Sequence, residues 1–268
     1  MRISRVLFSV AVLSSAAGLI AATSPAANAT SAVHYVALGD SYSSGVGAGN
    51  YISSSGSCDR SYNAYPEQWA DANAPASFVS VACSGAETSD VLSSQVSALS
   101  QSTTLVSITI GGNDAGFATT METCVLAPTS VCLATVSAAD AFVTYVLPAR
   151  LDTTLATIRA DAPAAKIVVL GYPDLYDLSK SSGCIGLSTS DRTALDQGAS
   201  DLDSALATAA ATYGDTYADV RSQFAGHEIC DSSSWLNSVD IFSLSSSYHP
   251  TASGQELGYL PVYTAAAG

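Results

Sequence analysis

The sequence predicts an α/β fold: a five-stranded parallel sheet with helices on both faces. Three observations carry this. Short apolar, β-branched runs alternate with longer helix-like segments along the chain. Most of those runs do not alternate strictly between apolar and polar residues, as expected of strands covered on both faces. Three of them also end in small-residue turns bearing polar groups, and open α/β sheets hold ligands beyond the C-terminal ends of their strands.

The chain opens with MRISR and the apolar stretch VLFSVAVLSSAAGLIAA, followed by Ala27-Asn28-Ala29. A basic start, a short apolar stretch and a small-x-small site read as a secretory signal peptide over residues 1–29. Residues 30–268 then form one domain, long enough for a sizeable core. No other segment is apolar for long enough to span a bilayer. The expectation is a soluble, secreted, extracellular protein, with a monomer as the default.

Within the domain the strand candidates are VHYVAL (33–38), FVSVAC (78–83), TLVSITI (104–110), KIVVLGY (166–172) and TYADV (216–220). Helix candidates lie between them. Tyr65–Asn73 is short, and Thr88–Leu99 follows a Ser/Gly turn. Ala138–Ala160 is long, with Pro148 expected to kink or split it. Ser190–Tyr213 begins at a Ser-Thr-Ser-Asp capping cluster. Gln255–Thr264 closes the chain, with a break expected near Pro261.

Composition narrows the partners. The chain has 9 basic and 23 acidic residues, a net charge of −14. Loss of Arg2 and Arg5 with the leader takes the net charge to −16. Such a surface repels nucleic acid and anionic headgroups, and its simplest consequence is solubility. The six cysteines, Cys58, Cys83, Cys124, Cys132, Cys184 and Cys230, form an even set in an exported chain and point to disulfides. Sequence alone does not choose among the pairings, of which sequential pairing is the simplest. No CxxC or Cys/His ligand spacing suggests a metal site, and nothing calls for a cofactor.

The chemistry concentrates at strand ends. Gly39-Asp40-Ser41 follows the first strand, Cys83-Ser84-Gly85-Ala86 the second, and Gly111-Gly112-Asn113-Asp114 the third. Tyr248-His249-Pro250 precedes the last helix. Ester hydrolysis by a serine needs a reachable hydroxyl, a base and donors for the developing oxyanion. Ser41 supplies the hydroxyl and His249 the imidazole. The backbone N–H groups of Ser41 and Gly85 and the amide of Asn113 are the candidate donors. Other patterns have ordinary explanations. The glycines of GVGAG (45–49) lack dinucleotide-loop spacing and read as a flexible loop. His227-Glu228 lacks the second histidine of a metalloprotease helix. His34 is placed for strand packing, and Trp69 and Trp235 for core or pocket wall. There is no GxSxG elbow.

GDS, the glycine turn at 85, GGND and a C-terminal histidine, in this order, resemble the SGNH or GDSL hydrolase family. The resemblance runs from Val33 to the last helix and is nearest to the secreted bacterial lipases, esterases and phospholipases A1. It implies a flavodoxin-like three-layer α/β/α sandwich, with Ser41 as nucleophile, His249 as base and Ser41, Gly85 and Asn113 as the oxyanion hole. It also implies the disulfides Cys58–Cys83, Cys124–Cys132 and Cys184–Cys230. The sequence departs from the family pattern twice. Tyr42 replaces the usual Leu, which reads as a packing change. Ser246 stands where the family places an Asp three residues before the His. Some secreted members are similar in lacking that Asp, and there a backbone carbonyl holds the His. The carbonyl of Ser246 is assigned that role here, with Asp240 and Asp231 as competing carboxylates. The expected function is hydrolysis of lipid acyl esters through an acyl-enzyme on Ser41. The alternatives are an esterase on acylated carbohydrates with the same site, or a non-catalytic secreted binding protein.

Overall fold

The computed structural model describes residues 32–180, 186–239 and 246–268. The predicted leader, Cys184 and Asp240 lie outside the described residues. Five strands form one parallel sheet: β1 (His34–Gly39), β2 (Ser77–Ser80), β3 (Leu105–Thr109), β4 (Lys166–Leu170) and β5 (Thr216–Ala218). Their spatial order is β2-β1-β3-β4-β5. In register, Tyr35 lies opposite Phe78 on one side and Leu105 on the other. β1 is buried from Tyr35 to Gly39, and β3 and β4 are buried nearly throughout. The runs of β1, β3 and β4 are therefore strands covered on both faces, while edge strand β2 alternates between exposed and half-buried positions.

One face carries α2 (Tyr65–Asn73) and the C-terminal α9 (Leu260–Ala267), which pack together. Tyr35 of β1 meets Trp69 of α2 and Tyr263 of α9 there, with ring centroids 5.3 and 5.6 Å away. Trp69 is thus a core residue. The other layer holds α3 (Thr88–Asp90, continuing through wider and tighter turns to Ala98), α4 (Phe117–Leu126), α5 (Thr129–Tyr145), α6 (Leu147–Asp161) and α7 (Thr189–Tyr213). The short α1 (Ser41–Ser44) and α8 (Arg221–Phe224) follow β1 and β5.

Several boundaries differ from expectation, each for a local reason. The helix predicted from Ala138 begins nine positions earlier, where extended Pro128 caps α5. It divides at Val146, and α5 and α6 bend by 48° with Pro148 in the first turn of α6. That turn needs no N–H from proline. α4 was not anticipated. Its sequence, FATTMETCVL, is short and rich in β-branched residues, although Phe117, Met121 and Cys124 fall on one buried face. α7 starts at Thr189, one residue early, because the Ser188 and Asp191 side chains each accept from the other's backbone N–H. Before Pro261 the chain widens into a π-type turn over Gly254–Tyr259, which carries the proline without ending the helix.

Candidate active site

The strand order reverses between β1 and β3, so the ends of these two strands open a crevice. Ser41 follows β1 and Asn113 follows β3. The GDS turn is fixed from three sides. Gly39 has φ +122°, and a Cβ there would lie 2.4 Å from the Thr109 carbonyl oxygen, so no other residue fits. Asp40 caps α1. Its Oδ1 accepts from the Tyr42 N–H at 3.0 Å and from Thr109 Oγ1 at 2.6 Å, and its Oδ2 accepts from the Tyr172 hydroxyl. Gln95 takes both backbone groups of Gly39, at 2.7 and 2.9 Å. Burial raises the Asp40 carboxyl to about 6, against the pull of those hydrogen bonds.

Ser41 is thereby held with its Oγ 2.7 Å from His249 Nε2. The other ring nitrogen, Nδ1, lies 2.9 Å from the carbonyl oxygen of Ser247. The acceptor is thus a backbone carbonyl, but not the predicted one. The Ser246 carbonyl instead accepts from the His249 N–H at 3.3 Å, closing a four-residue turn. Tyr248 occupies the third position of that turn with φ +66°, while Ser247 keeps a negative φ. A turn of this kind flips its central peptide out of the turn plane. The flipped carbonyl is that of Ser247, and it faces the imidazole. Asp231, one competing carboxylate, accepts from Lys180 Nζ at 2.8 Å. Burial lowers His249 to about 4, with the Ser247 carbonyl pulling weakly the other way, so the ring is neutral at ordinary pH.

Two contacts join the serine and histidine segments. The Tyr42 hydroxyl donates to the Tyr248 carbonyl at 2.7 Å. The residue that replaces the family's Leu therefore does more than pack. Gly47 lies against the histidine, where a Cβ would come within 2.9 Å of His249 Cβ, and its carbonyl accepts from Asn237 Nδ2. GVGAG is accordingly a largely buried turn against the histidine segment, not the flexible loop its glycines suggested.

Asn113 lines the same pocket as Ser41. One N–H of its amide donates to the Ala86 carbonyl at 3.0 Å, leaving the second. That bond sets Asn113 beside the Gly85 turn, where a Cβ on Gly85 would meet no other residue within 4 Å. The N–H groups of Ser41 and Gly85 donate to no described residue. Asp114 accepts from the Thr88 N–H and hydroxyl and from Arg150, fixing the turn that follows Gly85. The Cys58–Cys83 disulfide holds the same turn from the other side. A second disulfide joins Cys124 to Cys132, across the α4–α5 connection. The third expected pair includes Cys184, outside the described residues.

From Ser41 and Asn113 an apolar pocket runs between α4, α5 and α7, walled by Phe117, Val136, Val143, Leu175, Leu195 and Leu202. Periodicity did not reveal it, since its walls come from three separate helices. The remaining candidates stand elsewhere. His34 bonds Ser77 within the sheet. His227 stacks on Trp235, centroids 3.7 Å apart, and bonds Ser233. Among the described residues no group of three His, Cys, Asp or Glu side chains could hold a metal.

The sequence model of the GDSL-like Lipase/Acylhydrolase family matches residues 37–257. Lipase 1 of Streptomyces coelicolor is 54% identical over 257 residues, covering 96% of this chain and 95% of its own. The crystal structure of phospholipase A1 from Streptomyces albidoflavus NA297 superposes with a TM-score of 0.86 at 55% identity, covering 88% of this chain and all of that one. An extracellular lipase from Streptomyces rimosus gives 0.85 at 52% identity, with 88% and 100% covered. Fold and relatives together define an α/β ester hydrolase of the SGNH type. The chain belongs to the GDSL-like lipase/acylhydrolase family.

Proposed function

We propose that the protein is secreted and cleaves acyl esters of lipids, with Ser41 as nucleophile and His249 as base. One observation carries the assignment: Ser41 Oγ lies 2.7 Å from a neutral imidazole whose far nitrogen faces a carbonyl. That carbonyl fixes the tautomer with the proton on Nδ1 and the lone pair on Nε2. Ser41 Oγ attacks the ester carbonyl carbon as its proton passes to Nε2. The oxyanion is met by the N–H groups of Ser41 and Gly85 and by the free amide N–H of Asn113. Nε2 then returns the proton to the departing alkoxide, leaving an acyl group on Ser41. Water repeats the sequence and frees the acid. The Ser247 carbonyl carries a partial charge only, so it orients the imidazolium more than it stabilises it.

The apolar pocket supports a hydrocarbon acyl group over a small acetyl group on a carbohydrate. The likeness to an extracellular lipase and the predicted leader support export. A lipophilic phosphonate ester tests the assignment. A single covalent adduct on Ser41, absent from Ser41→Ala and from His249→Ala, is the expected result. A folded protein with no adduct would be a binding protein. Equal turnover of acetylated sugars and long-chain esters would favour the carbohydrate esterase.

A further inference from the structure

The α4–α5 connection is an apolar segment with no charge on it. Residues 123–139 contain no Asp, Glu, Lys or Arg, in a chain with 23 acidic residues. Near the connection Leu126 is 75% exposed, Val131 46%, Leu133 38% and Val125 37%. Four large apolar side chains exposed within nine positions are unlike the scattered single residues of an ordinary surface. The segment is also braced. The Cys124–Cys132 disulfide ties the two helices across it. The Thr129 hydroxyl donates to Asp191 Oδ2 at 3.1 Å, anchoring the start of α5 to that of α7. Such bracing limits the ordering entropy that exposed apolar groups would lose on docking.

Its position suggests an occupant. The same two helices that expose Val125, Leu126, Val131 and Leu133 line the acyl pocket with Phe117, Thr120, Val136, Ala139 and Val143. The exposed apolar side chains and the wall of the pocket that reaches Ser41 are thus carried by one disulfide-tied helix pair. We infer that the α4–α5 tip is an interfacial docking surface that enters the headgroup–acyl boundary of a neutral or zwitterionic lipid aggregate and aligns the pocket with it. The inference rests on the lipid reading of the substrate. The protein's net charge of −14 disfavours an anionic surface. The uncharged tip offers the apolar area on which interfacial binding depends. No single helix among the described residues is long and apolar enough to cross a membrane. The contact proposed is one that lies on the lipid surface.

The probe is a phosphatidylcholine vesicle, with Ser41→Ala protein so that no lipid is consumed. The parent should float with the vesicles. Leu126→Asp combined with Val131→Ser should lower the partition constant by about tenfold or more, from the apolar area withdrawn. Tyr145→Ser should leave it unchanged. That site is an exposed aromatic about 20 Å farther along α5, from a rise of ~1.5 Å per residue. With Ser41 intact, the tip variant should hydrolyse a dissolved short-chain nitrophenyl ester within twofold of the parent, which also shows that it is folded. Phosphatidylglycerol vesicles should bind less well than phosphatidylcholine. Equal partition of parent and tip variant, no partition by the parent, an equal loss in Tyr145→Ser, or tighter binding to the anionic vesicle would each overturn the inference. Tip-dependent partition by a protein that cleaves no long-chain ester would support the surface and remove the lipid-substrate reading instead.

Discussion

The two halves of the candidate site are held in different ways. On the serine side the backbone bonds of the turn, such as Asp40 N–H to the Thr109 carbonyl, are reinforced by steric and side-chain constraints. Gly39 has no room for a Cβ, Asp40 caps α1 while binding Thr109 and Tyr172, and Gln95 clasps Gly39. On the histidine side, side chains such as Tyr42 and Asn237 brace the segment, but the far nitrogen of the imidazole is held by main chain. Its acceptor is the Ser247 carbonyl, and the turn presenting it is closed by backbone bonds from Tyr248 to Asn237 and from His249 to Ser246. A side-chain constraint is lost when that side chain is truncated. A main-chain constraint survives truncation and fails only when the backbone itself is forced elsewhere. Under the proposed mechanism this is how the site would do without the family's Asp. Its orienting contact no longer depends on the identity of a single side chain.

The largest expected effect comes from forcing the backbone on the histidine side. Tyr248→Pro imposes φ near −65° where the turn needs +66° and removes the N–H that donates to Asn237. It should lower turnover by about 10³-fold or more, approaching loss of the imidazole itself. Tyr248→Gly accepts the positive φ and should retain at least a tenth of the activity. Turnover of a dissolved ester, with folding followed by circular dichroism, compares the two. Equal losses in both would mean that the tyrosine ring, not the turn, holds the histidine.

Next in size is the steric wall on the serine side. Gly39→Ala drives a Cβ into the Thr109 carbonyl and strains the backbone, at a cost of about 3 kcal/mol. For a domain of this length that lowers Tm by about 10 °C. A Tm unchanged within error would show that the turn can relax, and the serine side would then be less rigid than described.

The two sides also respond to acid with opposite sign. His249 is lowered to about 4 from an ordinary value near 6.5. Between those values the unfolded chain takes up a proton that the folded site refuses, so acidification through this window costs stability. Asp40 is raised to about 6. Between 6 and its ordinary value near 3.9 the folded carboxyl takes up the proton first, so its contribution to stability grows as pH falls. Only the histidine term acts directly on the proposed base. The acid limb of kcat/KM should therefore fall near pH 4. A limb near 6.5 would mean an imidazole more hydrated than its burial implies.

The smallest effects sharpen the same contrast. Ser247→Ala and Ser246→Ala keep their carbonyls, and each should leave kcat within about tenfold of the parent, or ~1.4 kcal/mol of barrier. A loss near 10⁴ in either would point to a hydroxyl, not a carbonyl, at His249.

Much of this was legible in the sequence because it is written at short range. Five apolar, β-branched runs gave five parallel strands within a few residues, and in the central β1, β3 and β4 burial on both faces suppresses alternation. Gly39-Asp40-Ser41 announced a turn that presents a hydroxyl, because its glycine and its capping aspartate act on adjacent residues. The rest depended on distance or on the sign of one dihedral. No local pattern shows that Tyr42 reaches the carbonyl of Tyr248, or that α4, absent from the predicted helices, joins α5 and α7 around an apolar pocket. The family resemblance implied a carbonyl in place of the missing Asp, and spacing chose that of Ser246. The positive φ of Tyr248 turned the neighbouring carbonyl, that of Ser247, toward the ring. Residue type and spacing determine which groups the chain carries to the crevice. The orientation of a main-chain carbonyl is set by the turn into which the whole fold closes, and for this protein only the tertiary structure decided it.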